Sequence, residues 1–199
     1  MPPPLQRKPV LAVLGVGILL LGAVVGAWNR ARTRDEILTE LKTEAMRGAV
    51  AFAPTELRQL AGAKDDASTP AYAAVKARLM QLQQVEPAVH YVYLFRFLPQ
   101  EKKVVFLGDS TPVGADDESL PGDSYDNYQD PAKAPGLRAI IADGQPATEG
   151  PEADEFGDWV TGYALVGARP PAGEPMDILG MDMDAANWNR DLSVAALTA

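Results

Sequence analysis

The stretch Asp177–Trp188, DILGMDMDAANW, decides how the chain is read. An apolar run carries two carboxylates, Asp182 and Asp184. Side chains of a strand alternate between faces, so both would point the same way. Leu179, Met181 and Met183 then face a core while the aspartates meet solvent or a cavity. Residues i and i+2 of a strand stand about 6.5–7 Å apart. A divalent cation would recruit both only if further oxygens converged from elsewhere. The expectation is no metal, with the pair at the strand's exit or on a pocket wall.

Working backwards, DWVTGYALVGA (Asp158–Ala168) has strand composition, and PPAGE is the turn between it and the last strand. PATEGPEADEFG before it reads as a lead-in, and APGLRAIIADGQ as a short helix closed by Gly144. HYVYLFRFL (His90–Leu98) and VVFLGDS (Val104–Ser110), joined by PQEKK, read as a hairpin. Between Thr111 and Pro135 lies a long segment rich in Pro, Gly, Asp, Ser and Asn, with Tyr125 and Tyr128 in it. Loops of that length inside a domain are commonly functional.

The N-terminal half changes period. TRDEILTELKTEAMRGAVAFA places Leu38, Leu41, Ala45, Gly48 and Phe52 on one stripe at near-heptad spacing. A helix packed on its own domain and a seam between two copies both satisfy it. Pro54 opens a short helix. Thr69-Pro70 caps a longer one whose face is Tyr72, Val75, Leu79 and Leu82, and Pro87 ends it. AANWNRDLSVAALTA begins a last helix. The fold class is α+β, an antiparallel sheet with helices mainly in the N-terminal half.

From Pro9 to Asn29 no residue is charged. Twenty-one residues at about 1.5 Å each span roughly 30 Å, the hydrocarbon thickness of a bilayer. The run is too long for the core of a cleaved signal peptide. It reads as a retained, single-pass signal anchor with the N-terminus in the cytoplasm. Arg30, Arg32 and Arg34 outnumber Arg7 and Lys8, which the positive-inside rule sets against that orientation.

The chain has 18 basic and 27 acidic residues and no cysteine. Five of the basic residues precede Asp35, so the chain from Asp35 onward carries 13 basic against 27 acidic residues. Such a surface repels phosphate backbones, which excludes nucleic acid as a partner. Without cysteine, and with His90 as the only histidine, thiolate chemistry, zinc sites and His-based triads have no residues to use. No nucleophile elbow, Walker loop or dinucleotide fingerprint occurs. The chain is not read as an enzyme, and no cofactor is expected.

What remains is aromatic. Tyr91, Tyr93, Phe95 and Phe97 share a face of one strand, and Trp159 and Tyr163 a face of another. Such stripes are usually core, yet buried tyrosine and tryptophan need polar partners. With Arg96, Asp109 and Asp182 they would line a small cavity with a few directional groups.

YVYLFRF…KKVVFLGDS, GDSYDN, GLRAIIADGQPATEGPEADEFGDWVTGYALV and DILGMDMDAANW together resemble the extracytoplasmic PAS-like sensor domains of bacteria, the PDC or Cache domains. The resemblance implies a five-stranded antiparallel sheet behind a membrane-proximal helix, and a small ligand between sheet and long loop. It implies ligand-binding roles for Tyr125, Trp159, Tyr163 and Asp182, with Tyr93, Arg96 and Asp109. It also implies an inner-membrane, periplasm-facing sensor, a homodimer, passing its signal to a histidine kinase, diguanylate cyclase or chemoreceptor output domain. The family's full amino-acid-binding motif does not match, so no ligand class carries over. The expected limits are 1–29 for tail and anchor, 30–62 for membrane-proximal helices, 63–186 for the sensor domain and 187–199 for the start of a C-terminal helix, with the output domain absent. A membrane-tethered assembly module without a ligand is the rival reading.

Overall fold

The last strand occupies the centre of the sheet, which accounts for its uninterrupted apolar run. The computed structural model describes residues 7–154 and 157–197, with the side chains of all of these except 7–15, 18, 19, 154, 196 and 197. Strands β1 (Tyr91–Leu98), β2 (Lys103–Asp109), β3 (Ala147–Asp154), β4 (Gly157–Leu165) and β5 (Met176–Asp184) form one antiparallel sheet in the order β2-β1-β5-β4-β3. Both faces of β5 are covered, so a strict apolar–polar alternation is not required of it.

The chain divides into two units, Leu38–Trp188 and the paired segments Met1–Ile37 and Asn189–Ala199. In the first, the helices cover one face of the sheet. Helix α1 (Arg7–Ala49) contributes Leu41, Ala45 and Ala49, all buried, followed by buried Phe52. The near-heptad stripe is therefore turned onto the domain's own sheet. The approach is close: a Cβ on Gly162 of β4 would stand 2.7 Å from the Leu41 carbonyl oxygen. Only glycine lets the helix backbone sit there.

Helix α2 (Pro54–Leu57) buries Leu57. Helix α3 (Pro70–Val85) starts where the Thr69 hydroxyl accepts the Tyr72 N–H at 3.1 Å, and it buries Val75 and Leu79 completely. Helix α4 (Pro135–Asp143) lies on the other face. There Leu137 and Ile140 pack with Phe95, Phe106, Tyr163 and Ile178. Helix α5 (Ala185–Leu197) follows β5 without a break. Asp184 makes the turn, its Oδ1 accepting the Ala186 N–H at 2.6 Å.

One expectation is corrected. PATEGPEADEFG is not merely a lead-in: Ala147–Asp154 is edge strand β3, paired with β4 through a bulge between Glu149 and Glu152. Pairing along a neighbour overrides the poor strand propensity of Glu, Gly and Pro. Pro151 is tolerated because an edge strand has ladder positions that need no N–H.

Among the described residues, no helix is long and apolar enough to cross a membrane. Of the expected span, residues 9–15, 18 and 19 lie outside those whose side chains are described. Val16, Leu20, Leu21, Val24 and Trp28 are exposed.

Candidate functional site

Opposite the α1 face, a cavity of about 30 Å³ lies between the sheet and the segment after β2. That segment is better ordered than its composition suggests. Phe106 N–H donates to Asp123 O and Gly122 N–H to Phe106 O, both at 2.9 Å, and Tyr125 N–H donates to Val104 O at 3.0 Å. The loop thus covers the free edge of β2, which would otherwise invite strand pairing. The same pairing delivers the Tyr125 ring over the sheet, 4.7 Å from the Phe95 ring.

Five rings line the cavity: Tyr91, Tyr93 and Phe95 from β1, Phe106 from β2, and Tyr125. The polar wall is Asp109, Asp117, Ser119 and Asp182. Gly180 on β5 makes room for Tyr93, since a Cβ there would fall 2.2 Å from the ring. The phenol consequently crosses β5 and donates to Asp182 Oδ1 at 2.9 Å, and the Thr161 hydroxyl donates to the same oxygen at 2.7 Å. Burial, with the Asp182 charge added, pushes the Tyr93 phenol well above the ordinary tyrosine value. Tyr91 donates to Asp117 Oδ2 at 2.8 Å, and burial followed by that bond raises its pKa to about 12. Both phenols stay protonated as donors.

Asp109 faces the cavity but is already engaged. Its carboxylate accepts the Thr111 and Ser119 N–H groups at 3.1 and 2.8 Å, and Lys76 of α3 at 2.8 Å. Lys76 also reaches Glu118 at 2.8 Å, and its side chain is only 4% exposed. Burial works to raise the Glu118 pKa, but the Lys76 bond and charge and the Gly114 N–H outweigh it, and the net shift is downward. One lysine therefore locks the cavity's loop to α3.

Beneath the rings, Tyr163 donates to Glu149 Oε1 at 2.6 Å. Glu149 Oε2 accepts the Gly136 and Leu137 N–H groups at 2.7 and 3.3 Å, holding the first turn of α4.

Of the residues singled out from sequence, Tyr93, Asp109, Tyr125 and Asp182 are brought together at the cavity. Tyr163 lies below it. Trp159 touches its rim through Tyr91, at 5.2 Å between ring centres, and through His90, at 5.1 Å. Arg96 is on the opposite face. Its Nε and Nη2 bond the Asp177 carboxylate at 2.7 and 2.9 Å, and its other contacts are the Leu57 and Leu60 carbonyls. Sequence reasoning missed Lys76 and Glu149. Lys76 follows a core valine at helical spacing four from Tyr72, a faint signal. Glu149 sat in the segment read as a lead-in to β4, with no signal at all. Among the described residues, no group of three or more acidic or histidine side chains forms a metal site.

No family model and no curated protein matches the chain. Its structure is similar to the ligand-binding domain of the Campylobacter jejuni chemoreceptor Tlp3, solved in complex with L-valine. The TM-score is 0.53 at 14% identity, covering 91% of this chain, and this chain spans 65% of the length of that one. At that identity the likeness is one of fold: the chain shares the fold of that ligand-binding domain, with its own five-stranded antiparallel sheet.

Proposed function

We propose that the chain is the extracytoplasmic small-molecule sensor of a membrane-bound signalling protein, with its ligand in the cavity beneath Tyr125. The observation that carries this reading is the cavity itself. It is walled by aromatic rings and a few directional polar groups, and it is closed by a loop that Lys76 and the β2 edge hold in place. The related fold in Tlp3, which holds L-valine, supports it.

The ligand-contacting residues are Tyr93, Tyr125 and Asp182, with Asp109 holding the loop. Trp159 and Tyr163 support the rings from the rim and from below, and Arg96 braces the far face. At about 30 Å³ the cavity has room for one or two waters. A larger ligand enters by displacing Tyr125 and its loop, and that displacement is the signal.

The uncharged run Pro9–Asn29 supports a single-pass inner-membrane anchor with the sensor in the periplasm. The exposed Val16, Leu20, Leu21, Val24 and Trp28 are suited to lipid or to a second copy, and a homodimer pairing along this part of α1 belongs to the same proposal. The output, whether kinase, cyclase or chemoreceptor, would come after the domain.

Thermal unfolding of the full chain in detergent against carboxylates, amino acids, amines and divalent cations tests the reading. A ligand at about a hundred times its Kd adds roughly 2.7 kcal/mol, a shift of several degrees for a domain of this size. Tyr125→Ala should abolish the shift. No shift across the panel would leave the tethered assembly module as the better account.

A further inference from the structure

We infer that the ligand of this cavity is a small organic cation, an alkylammonium carrying no carboxylate of its own. The inference rests on the sensor reading and narrows it.

It begins with charge. Among the described residues that line it none is basic, while Asp109, Asp117 and Asp182 are all acidic. The buried bases among the described residues are Lys76 and Arg96, and both are engaged. Lys76 is held between Asp109 and Glu118, and Arg96 is bidentate on Asp177 across the sheet. An α-amino acid or a simple carboxylate would bring an anion into a wall of carboxylates with no cation to receive it, and burying an unmatched charge is costly. Lys76 set against Asp109 and Glu118 leaves that cluster one formal negative charge, with Asp117 on the wall beside it.

The rings point the same way. Tyr91, Tyr93, Phe95, Phe106 and Tyr125 converge on one small space, and an ammonium is attracted to aromatic faces, more strongly when desolvated. The phenols that hydrogen-bond Asp117 and Asp182 are donors, so they orient those carboxylates. Size sets the remaining limit: about 30 Å³ admits a methylammonium-sized head before any loop movement. The excess of acidic over basic residues also draws cations toward the domain.

The test is isothermal titration of the full chain in detergent with methylammonium, tetramethylammonium, tert-butanol, acetate, alanine and calcium chloride. Tert-butanol matches the shape of tetramethylammonium without its charge, and acetate is a small probe of the opposite charge. One of the two ammonium ions should bind at least ten-fold more tightly than each of the other four. Asp182→Asn should weaken it at least ten-fold, and Asp117→Asn, on an exposed loop position that tolerates change, by several-fold. Acetate, alanine or tert-butanol binding as tightly as the ammonium ions would overturn the cation class and leave the sensor standing. So would calcium binding equally well, or ammonium binding that both variants leave untouched. Silence from all six, and from the broader panel above, would remove the sensor reading along with it.

Discussion

The two faces of the sheet are built from different chemistry. Under the helices, Val92, Leu94, Leu107, Leu179 and Met181 are buried against Leu41, Leu57, Val75 and Leu79, aliphatic side chains in close contact. Under the loop and α4, the buried set is Tyr93, Phe95, Phe106, Tyr125 and Tyr163, threaded with Glu149, Thr161 and Asp182. The aliphatic face is riveted at a few points, by Arg96 on Asp177 and by Lys76 tying α3 to Asp109 and Glu118, whereas the aromatic face is a network of hydroxyls and carboxylates around a space. Dry aliphatic packing gains stability per area and specifies shape. Buried polar networks are less favourable unless every member is satisfied, and they are kept where direction matters. The contrast assigns stability to the helix face and recognition to the loop face.

Arg96→Ala should show the largest effect on the helix face. It leaves the Asp177 carboxylate and the Leu60 carbonyl without the guanidinium donor, the Leu57 carbonyl keeping the Leu60 N–H, and breaking a buried pair of this kind costs about 3–5 kcal/mol. Urea unfolding should register that loss, while ligand affinity per folded molecule stays unchanged. A large loss of affinity with little loss of stability would return Arg96 to the site and break the division between faces.

How much of the molecule is legible in its sequence divides along the same line. The helices and the strands β1, β2, β4 and β5 are readable because apolar periodicity and caps such as Thr69-Pro70 act locally. Counting strand residues puts Asp182 and Asp184 on one face, the family resemblance is what points Asp182 to a pocket, and Asp184 turns the chain into α5. Arg96 is misjudged for want of a partner: nothing in the sequence says that Asp177 lies opposite it, a pairing set by the β1–β5 register. β3 is illegible because its strand character comes from β4, not from its own residues. With β3 goes Glu149 and its grip on α4.

A matched pair of glycines sharpens the comparison at intermediate size. Gly162 and Gly180 sit on adjacent central strands, one beneath the Leu41 backbone and the other beneath the Tyr93 ring. Alanine at either overpacks its site, at about 1–3 kcal/mol. Gly162→Ala should lower stability alone, because what it pushes is helix backbone. Gly180→Ala should in addition weaken ligand binding, because what it pushes is the phenol that orients Asp182. Equal effects of the two on affinity would mean that the faces are not separable.

The smallest effect concerns pH and belongs to the loop face. Burial raises the pKa of Glu149, outweighing the bonds from Tyr163, Gly136 and Leu137, and the charge of Glu152 adds to the rise. A carboxyl group raised in the folded state binds its proton more tightly there than in the unfolded chain. Its contribution to stability is therefore full below the ordinary glutamate pKa and is lost as pH rises through the folded value. Glu118, shifted downward, acts in the opposite sense, contributing above the ordinary value and losing that contribution as pH falls through its folded one. The parent curve mixes the two, but the difference between Glu149→Gln and the parent isolates the first. Measured by urea unfolding at successive pH values, the variant should gain on the parent as pH rises from the ordinary glutamate range toward neutrality. Glu118 and the similarly raised Glu86 are present in both proteins and cancel. A difference that stays flat over that window would show that the Glu149 carboxylate is fully satisfied by its three donors. The loop face would then be as settled at neutral pH as the helix face, and the strain assigned to it would have to lie closer to Asp182.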